Sequence, residues 1–390
     1  MGGDAAGRAA LRILYVDTFT MAVGFYMLIP LLAFHFLDDV GLTIAVVAAL
    51  TAVRTAAQNG TMPLAGWVAD RIGFRNAILI GVLIRASGFA LLGASDHVAM
   101  LTVASLLTGL GGALFHPASY SAYAALAPEG DRVRVYATRE VISNVGFIAG
   151  PALGGVLAGV DFAIVSTGSA ALFLVAFVVS FFGLPRDARD PDRAPPRLRT
   201  AFLDMAFLRY CALVAGMGVM ITQFYLVIPF RADQLLPGSI GVGVVYSGAA
   251  VVMVVTMLPL TSWTNRTFTR PVILAGAAVL LGGGIAVIGA APTTPVMLLG
   301  VAVFVIGQML AQPVMNAVVS GFAPDGSVAS YFGVQGLATA IGAVTGSAIG
   351  GVVYSIAGSD PRTWAWLFFP VWGAVVASAF AVVRPGSAPR

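Results

Sequence analysis

The sequence predicts an all-α polytopic membrane protein with twelve transmembrane helices, arranged as two six-helix bundles related by an internal repeat. Apolar residues make up 59% of the 390-residue chain and charged residues only 10%, whereas about a quarter of the residues in soluble proteins are charged. A helix that crosses a bilayer needs about 20 apolar residues, and the chain has twelve runs of suitable length. Short motifs also recur in order in the two halves. The composition therefore excludes a soluble enzyme and a disordered chain.

The apolar runs place the spans along the chain. The first six are predicted at 11–36, 42–66, 77–95, 97–126, 135–159 and 162–184, and the second six at 207–230, 240–263, 271–291, 295–322, 330–355 and 363–383. Segment 185–200 is charged and rich in proline, which predicts an extended linker. The predicted domains are an N-terminal six-helix bundle (1–184), a cytoplasmic linker (185–204) and a C-terminal six-helix bundle (205–390).

The positive charges predict the orientation of the chain. All 21 basic residues are arginine, and the chain has no lysine. If the N-terminus is cytoplasmic, sixteen arginines lie in cytoplasmic segments and only Arg231 and Arg362 lie in external loops. The positive-inside rule then predicts a multi-pass membrane protein with both termini in the cytoplasm. The arginines do not form a stripe, so nucleic acid is not a predicted partner.

Paired motifs indicate that the two halves are related. Phe-Tyr-x-x-Ile-Pro occurs at 25–30 and 224–229, and Pro-Leu-x-x-Trp occurs at 63–67 and 259–263. Glycines at 150, 154 and 155 have counterparts at 346, 350 and 351. A repeat of about half the chain is typical of transporters in which two related bundles surround a central site.

The segment between the second and third spans has the sequence GWVADRIGFR at 66–75. Glycines at its ends permit close helix approach and a tight turn, and its aspartate suits the positive N-terminal end of a neighbouring helix. The segment resembles the G-x-x-x-D-R-x-G-x-R motif of the major facilitator superfamily. The resemblance implies a conformational latch that consists of Gly66, Asp70, Arg71, Gly73 and Arg75. A positively charged anchor with a turn glycine is the other interpretation.

The fifth span carries the sequence GFIAGPALGG at 146–155. Small residues allow close packing, and the proline removes a backbone donor and bends the helix. The segment resembles the G-x-x-x-G-P-x-x-G-G signature of proton-coupled exporters in that superfamily, here Gly146, Gly150, Pro151, Gly154 and Gly155. The resemblance covers nearly the whole chain and extends to the multidrug-resistance exporters of the twelve-helix drug:proton antiporter branch. Ordinary packing of small residues is the alternative.

One position departs from the antiporter pattern. Many antiporters have an arginine in the fourth helix, four residues before the glycine that corresponds to Gly109, whereas this chain has Ser105. The resemblance therefore implies that proton handling uses other charges or a different organisation.

Five ionisable residues are predicted inside the spans of the N-terminal half, and we assign them to proton coupling: Asp17, Arg54, Arg85, Arg139 and Glu140. Each charge would cost about 3 kcal/mol at the bilayer centre, so these groups are expected to pair or to line a wet cavity. Asp17 is the predicted proton carrier, with Glu140 second, and a permanent ion pair of Asp17 with Arg54 or Arg139 is the alternative. Arginine stays charged, so the arginines are expected to adjust an acid. A structural polar contact is the other interpretation of Arg85.

A mixture of aromatic and amide side chains predicts the substrate contacts and favours amphipathic substrates over sugars. The candidates are Phe25, Tyr26, Gln58, Asn59, His116, Asn144, Gln223, Tyr225, Gln308, Gln312, Asn316 and Gln335. Interhelical hydrogen bonds are the alternative role for several of them, and His116 also suits a packing role. No histidine or acidic pair has metal-ligand spacing, and a chain without lysine has no P-loop lysine. No metal and no cofactor are therefore expected.

The resemblance implies a secondary active transporter that exports hydrophobic or amphipathic small molecules, drugs among them, in exchange for protons by rocker-switch alternating access. It implies a small-molecule substrate and protons as partners, the bilayer of the bacterial cytoplasmic (inner) membrane as surroundings, a monomeric chain and no enzymatic activity. The alternatives are a proton-coupled importer of a specific metabolite, a lipid or lysophospholipid flippase on the same fold, and a membrane enzyme.

Overall fold

A computed structural model describes residues 2–128, 130–158, 161–186, 198–236, 239–357 and 364–382, and among these residues the regular structure is entirely helical. The first half contains α1 (Gly2–Phe34), α2 (Ile44–Ile72), α3 (Phe74–Leu92), α4 (Val98–Leu126), α5 (Arg132–Ala158) and α6 (Phe162–Gly183). The second half contains α7 (Leu198–Leu203), α8 (Met205–Ile221), α9 (Val227–Leu235), α10 (Ser239–Thr267), α11 (Arg270–Gly289), α12 (Thr294–Phe322), α13 (Val328–Ala357) and α14 (Phe368–Val382).

The helices confirm the predicted all-α polytopic membrane fold. Within the described residues, eleven segments are long and apolar enough to cross a membrane, with α8 and α9 together forming one of them. The twelfth long helix is α2, which has 29 residues. It is not among these eleven segments because Arg54, Gln58, Asn59, Asp70 and Arg71 lower its hydropathy.

Two local features differ from the sequence prediction. The seventh span is not one continuous helix, because α8 ends at Ile221 and a 3₁₀ turn, Thr222–Tyr225, precedes α9. Pro229 permits the break, since it cannot donate a hydrogen bond to the carbonyl four residues earlier. It does not require the break, because Pro30, at the matching position of the repeat, lies inside the continuous helix α1. The end of the predicted extended linker is helical (α7), and its residues 187–197 lie outside the described residues.

The first compact unit contains residues 1–132, 142–201 and 323–336. In it α3 packs against α4 and α6, α2 packs against α4, and α1 packs against α6. Glycines bring the backbones of α3 and α4 together: a Cβ atom on Gly111 would lie 2.6 Å from the backbone nitrogen of Arg85. Such close approach is how membrane helices gain packing energy without a hydrophobic driving force.

The second unit contains residues 133–141, 202–322 and 337–390. Its α11 packs against both α12 and α14, and α10 packs against α12. A Cβ atom on Gly284 of α11 would lie 2.7 Å from the backbone nitrogen of Phe304 in α12. Glycine therefore has the same packing role in this unit as in the first.

The glycines of the internal repeat have matching surroundings in the two units. A Cβ atom on Gly150 of α5 would lie 2.7 Å from an α1 side chain, and one on Gly346 of α13 would lie 2.6 Å from α8. Cβ atoms on Gly155 and Gly351 would meet no described atom within 4 Å. The sequence repeat thus corresponds to a repeated packing arrangement, α5 on α1 and α13 on α8.

Candidate functional site

Asp17 lies on α1 in the interior of the first unit, and its side chain has no solvent exposure. Among the described residues, neither carboxylate oxygen has a hydrogen-bond partner. The hydroxyl of Ser180 on α6 faces the carboxyl group, but the geometry of the two groups does not meet that of a hydrogen bond. The chain therefore buries an acid beside a hydroxyl in the interior of this unit.

Arg85 on α3 is buried against aromatic faces. Its guanidinium carbon lies 4.7 Å from the ring centroid of Phe25, 5.7 Å from that of Phe173 and 5.9 Å from that of Phe89. Arg54 on α2 lies 5.7 Å from the ring of the same Phe25. Each cation–π contact contributes about 0.5–2 kcal/mol. Aromatic faces thus stabilise both charges inside the first unit.

The ion pairs among the described residues do not include Asp17, Arg54 or Arg85. A permanent ion pair between Asp17 and Arg54 was one of the alternatives from the sequence. Within the first unit, these two side chains do not form it. Arg139 and Glu140, which belong to the second unit, contact each other at 2.5 Å. Arg54 and Arg85, by contrast, share the ring of Phe25 and have no ion pair among the described residues.

The α2–α3 turn contacts the start of α13 within the first unit. Asp70 accepts hydrogen bonds from the backbone N–H groups of Ala329 (2.8 Å) and Ser330 (2.7 Å) and from the Ser330 hydroxyl (2.5 Å). These N–H groups belong to the first turn of α13, which has no intrahelical acceptors for them. The carboxylate also lies at the positive end of the helix dipole.

Glycine makes this contact possible. A Cβ atom on Gly66 would lie 2.2 Å from the carbonyl oxygen of Ala329, and one on Gly333 would lie 2.4 Å from that of Met62. Gly73 ends α2 with a φ of 88°, a backbone conformation that favours glycine. The backbones of α2 and the first turns of α13 are therefore in direct contact.

The two arginines of the turn contact aromatic residues. Arg71 lies 5.2 Å from the ring of Trp67, and Arg75 lies 5.1 Å from the ring of Phe181. Arg75 also donates a hydrogen bond to the carbonyl oxygen of Phe181. Arg75 therefore attaches the start of α3 to the end of α6.

The glycines of the α5 motif face α1. Cβ atoms on Gly146, Gly150 and Gly154 would lie 2.5, 2.7 and 2.1 Å from atoms of α1. Gly155 has space around it, since no described atom lies within 4 Å of its Cβ position. The spacing of four residues places the first three glycines on one helix face.

The predicted substrate contacts fall in both units. Phe25, Tyr26, Gln58, Asn59, His116, Asn144 and Gln335 belong to the first unit, and Gln223, Tyr225, Gln308, Gln312 and Asn316 belong to the second. Gln223 is buried and donates hydrogen bonds to the carbonyl oxygens of Val219 and Gly346, each at 2.8 Å. It therefore links α8 to α13, whereas 62% of Tyr225 is exposed.

Several site residues were not predicted from the sequence. They are Ser180 beside Asp17, Ser330 beside Asp70, and Phe89 and Phe173 around Arg85. Ser330 had a recognisable signal, because it stands in the first turn of a helix after a Pro-Asp-Gly turn. Among the described residues, no three His, Cys, Asp or Glu side chains are grouped as a metal site.

Comparison with known proteins identifies a sequence family and a set of relatives that share one name. The sequence model of the Major Facilitator Superfamily matches residues 14–336. The multidrug resistance protein MdtH of Aeromonas hydrophila is 28% identical over 367 residues, which cover 93% of this chain and 92% of that protein. MdtH of Yersinia pestis is 27% identical over 343 residues, with 87% and 86% covered.

Two solved structures share the fold. The human organic anion transporter MFSD10 aligns with a TM-score of 0.73 at 17% identity, over 97% of this chain and 99% of that one. The Escherichia coli fucose:proton symporter FucP aligns with a TM-score of 0.75 at 16% identity, over 96% and 98%. At these identities the likeness concerns the fold alone.

Proposed function

Because the chain belongs to the major facilitator superfamily of transporters, we propose that it exports hydrophobic or amphipathic small molecules in exchange for protons. It is a multi-pass membrane protein. We place it in the bacterial inner membrane as a monomer with both termini in the cytoplasm. The relatives named multidrug resistance proteins and the glycine face of α5 against α1 support export.

The observation that carries the proton part of the proposal is the burial of Asp17 without a hydrogen bond or ion pair among the described residues. An ionised carboxylate in such a place costs several kcal/mol, so these surroundings favour the neutral acid. A conformation that admits water to Asp17 favours the anion. Alternation between the two conformations would load and release one proton in each cycle.

The other charged groups fit supporting roles. Arg54 and Arg85 keep their charge and are proposed to balance the carboxylate after it has lost its proton. Glu140 already contacts Arg139, which makes it the weaker candidate for proton carrier.

The contact of Asp70 with the first turn of α13 is proposed as the latch. Three hydrogen bonds hold the carboxylate on that turn, and separation of the two helices would break all three together. In a rocker-switch cycle, bundles 1–184 and 205–390 would move as bodies joined by the 185–204 linker. The latch would then stabilise the conformation described here over the alternative one.

Transport in everted membrane vesicles tests the proposal. In this orientation an exporter accumulates dye, so respiring vesicles with the wild-type chain should take up ethidium or the neutral dye Nile red, and a proton uncoupler should abolish uptake. Asp17→Asn should abolish driven uptake but retain dye exchange in proteoliposomes without a proton gradient. Asp96→Asn, at an exposed position, is the matched control.

Each alternative has a distinct result. Uncoupler-sensitive uptake that persists in Asp17→Asn removes Asp17 as the carrier and points to Glu140. Respiration-dependent loss of a metabolite from everted vesicles indicates an importer. Inhibition of dye uptake by lysophospholipid together with lipid translocation indicates a flippase.

A further inference from the structure

A cavity of about 140 Å³ lies within the first unit, where α1, α2 and α4 approach one another. Its polar lining residues are Arg54, Thr51 and Ser105. Its apolar lining is larger: Ile29, Leu32, Phe36, Val47, Leu50 and Leu92. The cavity therefore combines one cation and two hydroxyls with a continuous apolar wall.

The charge at this cavity is not balanced by an acid. Among the described residues no carboxylate pairs with Arg54 or Arg85. The like charge of Arg54 acts on Arg85, and both guanidinium groups lie against the ring of Phe25. Two neighbouring cations with reduced hydration attract an anion strongly.

We propose that this cavity binds a small amphipathic organic monoanion, with its anionic group on Arg54 and its apolar body against the leucine, isoleucine and phenylalanine side chains. Arginine binds carboxylates through charge-assisted hydrogen bonds, and the hydroxyl of Ser105 supplies a further donor. The Thr51 hydroxyl already donates to the Val47 carbonyl oxygen. A cation would be repelled by both arginines. A multiply charged anion would leave charge unpaired against the apolar wall, which favours a single charge.

A matched series of ligands tests the charge preference. The probes are 4-fluorobenzoate, 4-fluorobenzamide and 4-fluorobenzamidine, which have nearly the same shape and carry a negative, zero and positive charge. Binding of each probe is measured by fluorine NMR on the full chain in nanodiscs of zwitterionic lipid, with empty nanodiscs as the blank. The benzoate should bind, and the amide and the amidine should bind at least tenfold more weakly.

Substitutions test the position of the site. Arg54→Gln should raise the Kd of 4-fluorobenzoate about tenfold to hundredfold, the range expected for loss of a charge-assisted hydrogen bond. Thr51→Glu places a competing carboxylate one turn from Arg54 and should weaken benzoate binding at least tenfold more than Thr51→Gln does, because the two side chains have the same size and only the glutamate is charged. Thr51 is exposed, so this pair keeps the test available if Arg54→Gln does not fold. Arg12→Gln, at an exposed position of α1, should leave the Kd unchanged.

Equal binding of benzoate and benzamide, no binding of benzoate, or unchanged binding in both Arg54→Gln and Thr51→Glu would overturn the proposal. The further claim that the chain also exports such anions rests on the proposed function. Uptake of 4-fluorobenzoate by everted vesicles supports that claim, and Arg54-dependent binding without uptake contradicts it. If neither dye nor benzoate is transported while Arg54-dependent binding persists, the proposed function fails and the binding site stands.

Discussion

Removal of the Asp70 carboxylate gives the sharpest test of the proposed latch. In the structure the carboxylate accepts three hydrogen bonds from the first turn of α13. A hydrogen bond to a charged group contributes about 1.5–3 kcal/mol, and the helix dipole adds about 0.3–1 kcal/mol. Asp70→Asn retains one neutral acceptor, so we expect a net loss of about 2 kcal/mol rather than the full sum.

Hydrogen exchange at the donor amides measures this loss directly. The backbone N–H groups of Ala329 and Ser330 exchange when α13 separates from Asp70. A loss of about 2 kcal/mol corresponds to exchange about thirtyfold faster. Mass spectrometry of peptides that cover 323–336 should show this acceleration in Asp70→Asn and not in Asp96→Asn.

Unchanged exchange in Asp70→Asn would refute the energetic role of the carboxylate. Faster exchange with unaltered transport rates would make the contact purely structural.

Two further predictions concern packing in the first unit. Phe25→Leu removes an aromatic face from Arg85, so the protein in detergent should lose about 1–2 kcal/mol of stability; a melting temperature equal to that of the wild type would contradict the cation–π account. Gly154→Ala should lower the melting temperature and the yield of folded protein, because its Cβ would lie 2.1 Å from a carbonyl oxygen of α1. Gly155→Ala should change neither quantity, since its Cβ would meet no described atom within 4 Å. Equal effects of the two alanines would show that the α1–α5 contact is looser than described.

Features that depend on composition and local chemistry were predictable from the sequence. The apolar runs identify the membrane helices because length and hydropathy are properties of a segment alone. The glycines of the repeat follow from their spacing, which places them on one helix face. Asp70 was recognisable as a helix-terminal acid, but its partner Ser330 lies 260 residues further along the chain.

Features that depend on which helices meet were not predictable. From the sequence, the intramembrane charges are expected to form ion pairs or to line a wet cavity, since opposite charge is the simplest compensation. Arg85 instead lies against three phenylalanine rings from α1, α3 and α6, and no periodicity in any one segment indicates that arrangement. The Ser180 hydroxyl beside Asp17 likewise results from the packing of α1 against α6.

The charge of the ligand determines how strongly proton exchange can drive its export. A membrane potential of about 100 mV contributes about 2.3 kcal/mol for each charge moved, and one pH unit contributes about 1.4 kcal/mol. Exchange of one proton for a monovalent cation moves no net charge, which leaves a gradient of about tenfold. Exchange for a neutral molecule uses both contributions and sustains a concentration gradient of roughly several hundredfold. Exchange for a monoanion moves two charges in the favourable direction, so the driving force is about 6 kcal/mol and the gradient exceeds about ten-thousandfold. If the proposed exchange for one proton holds, the proposed cationic cavity therefore favours the class of substrate that the membrane potential helps most to expel.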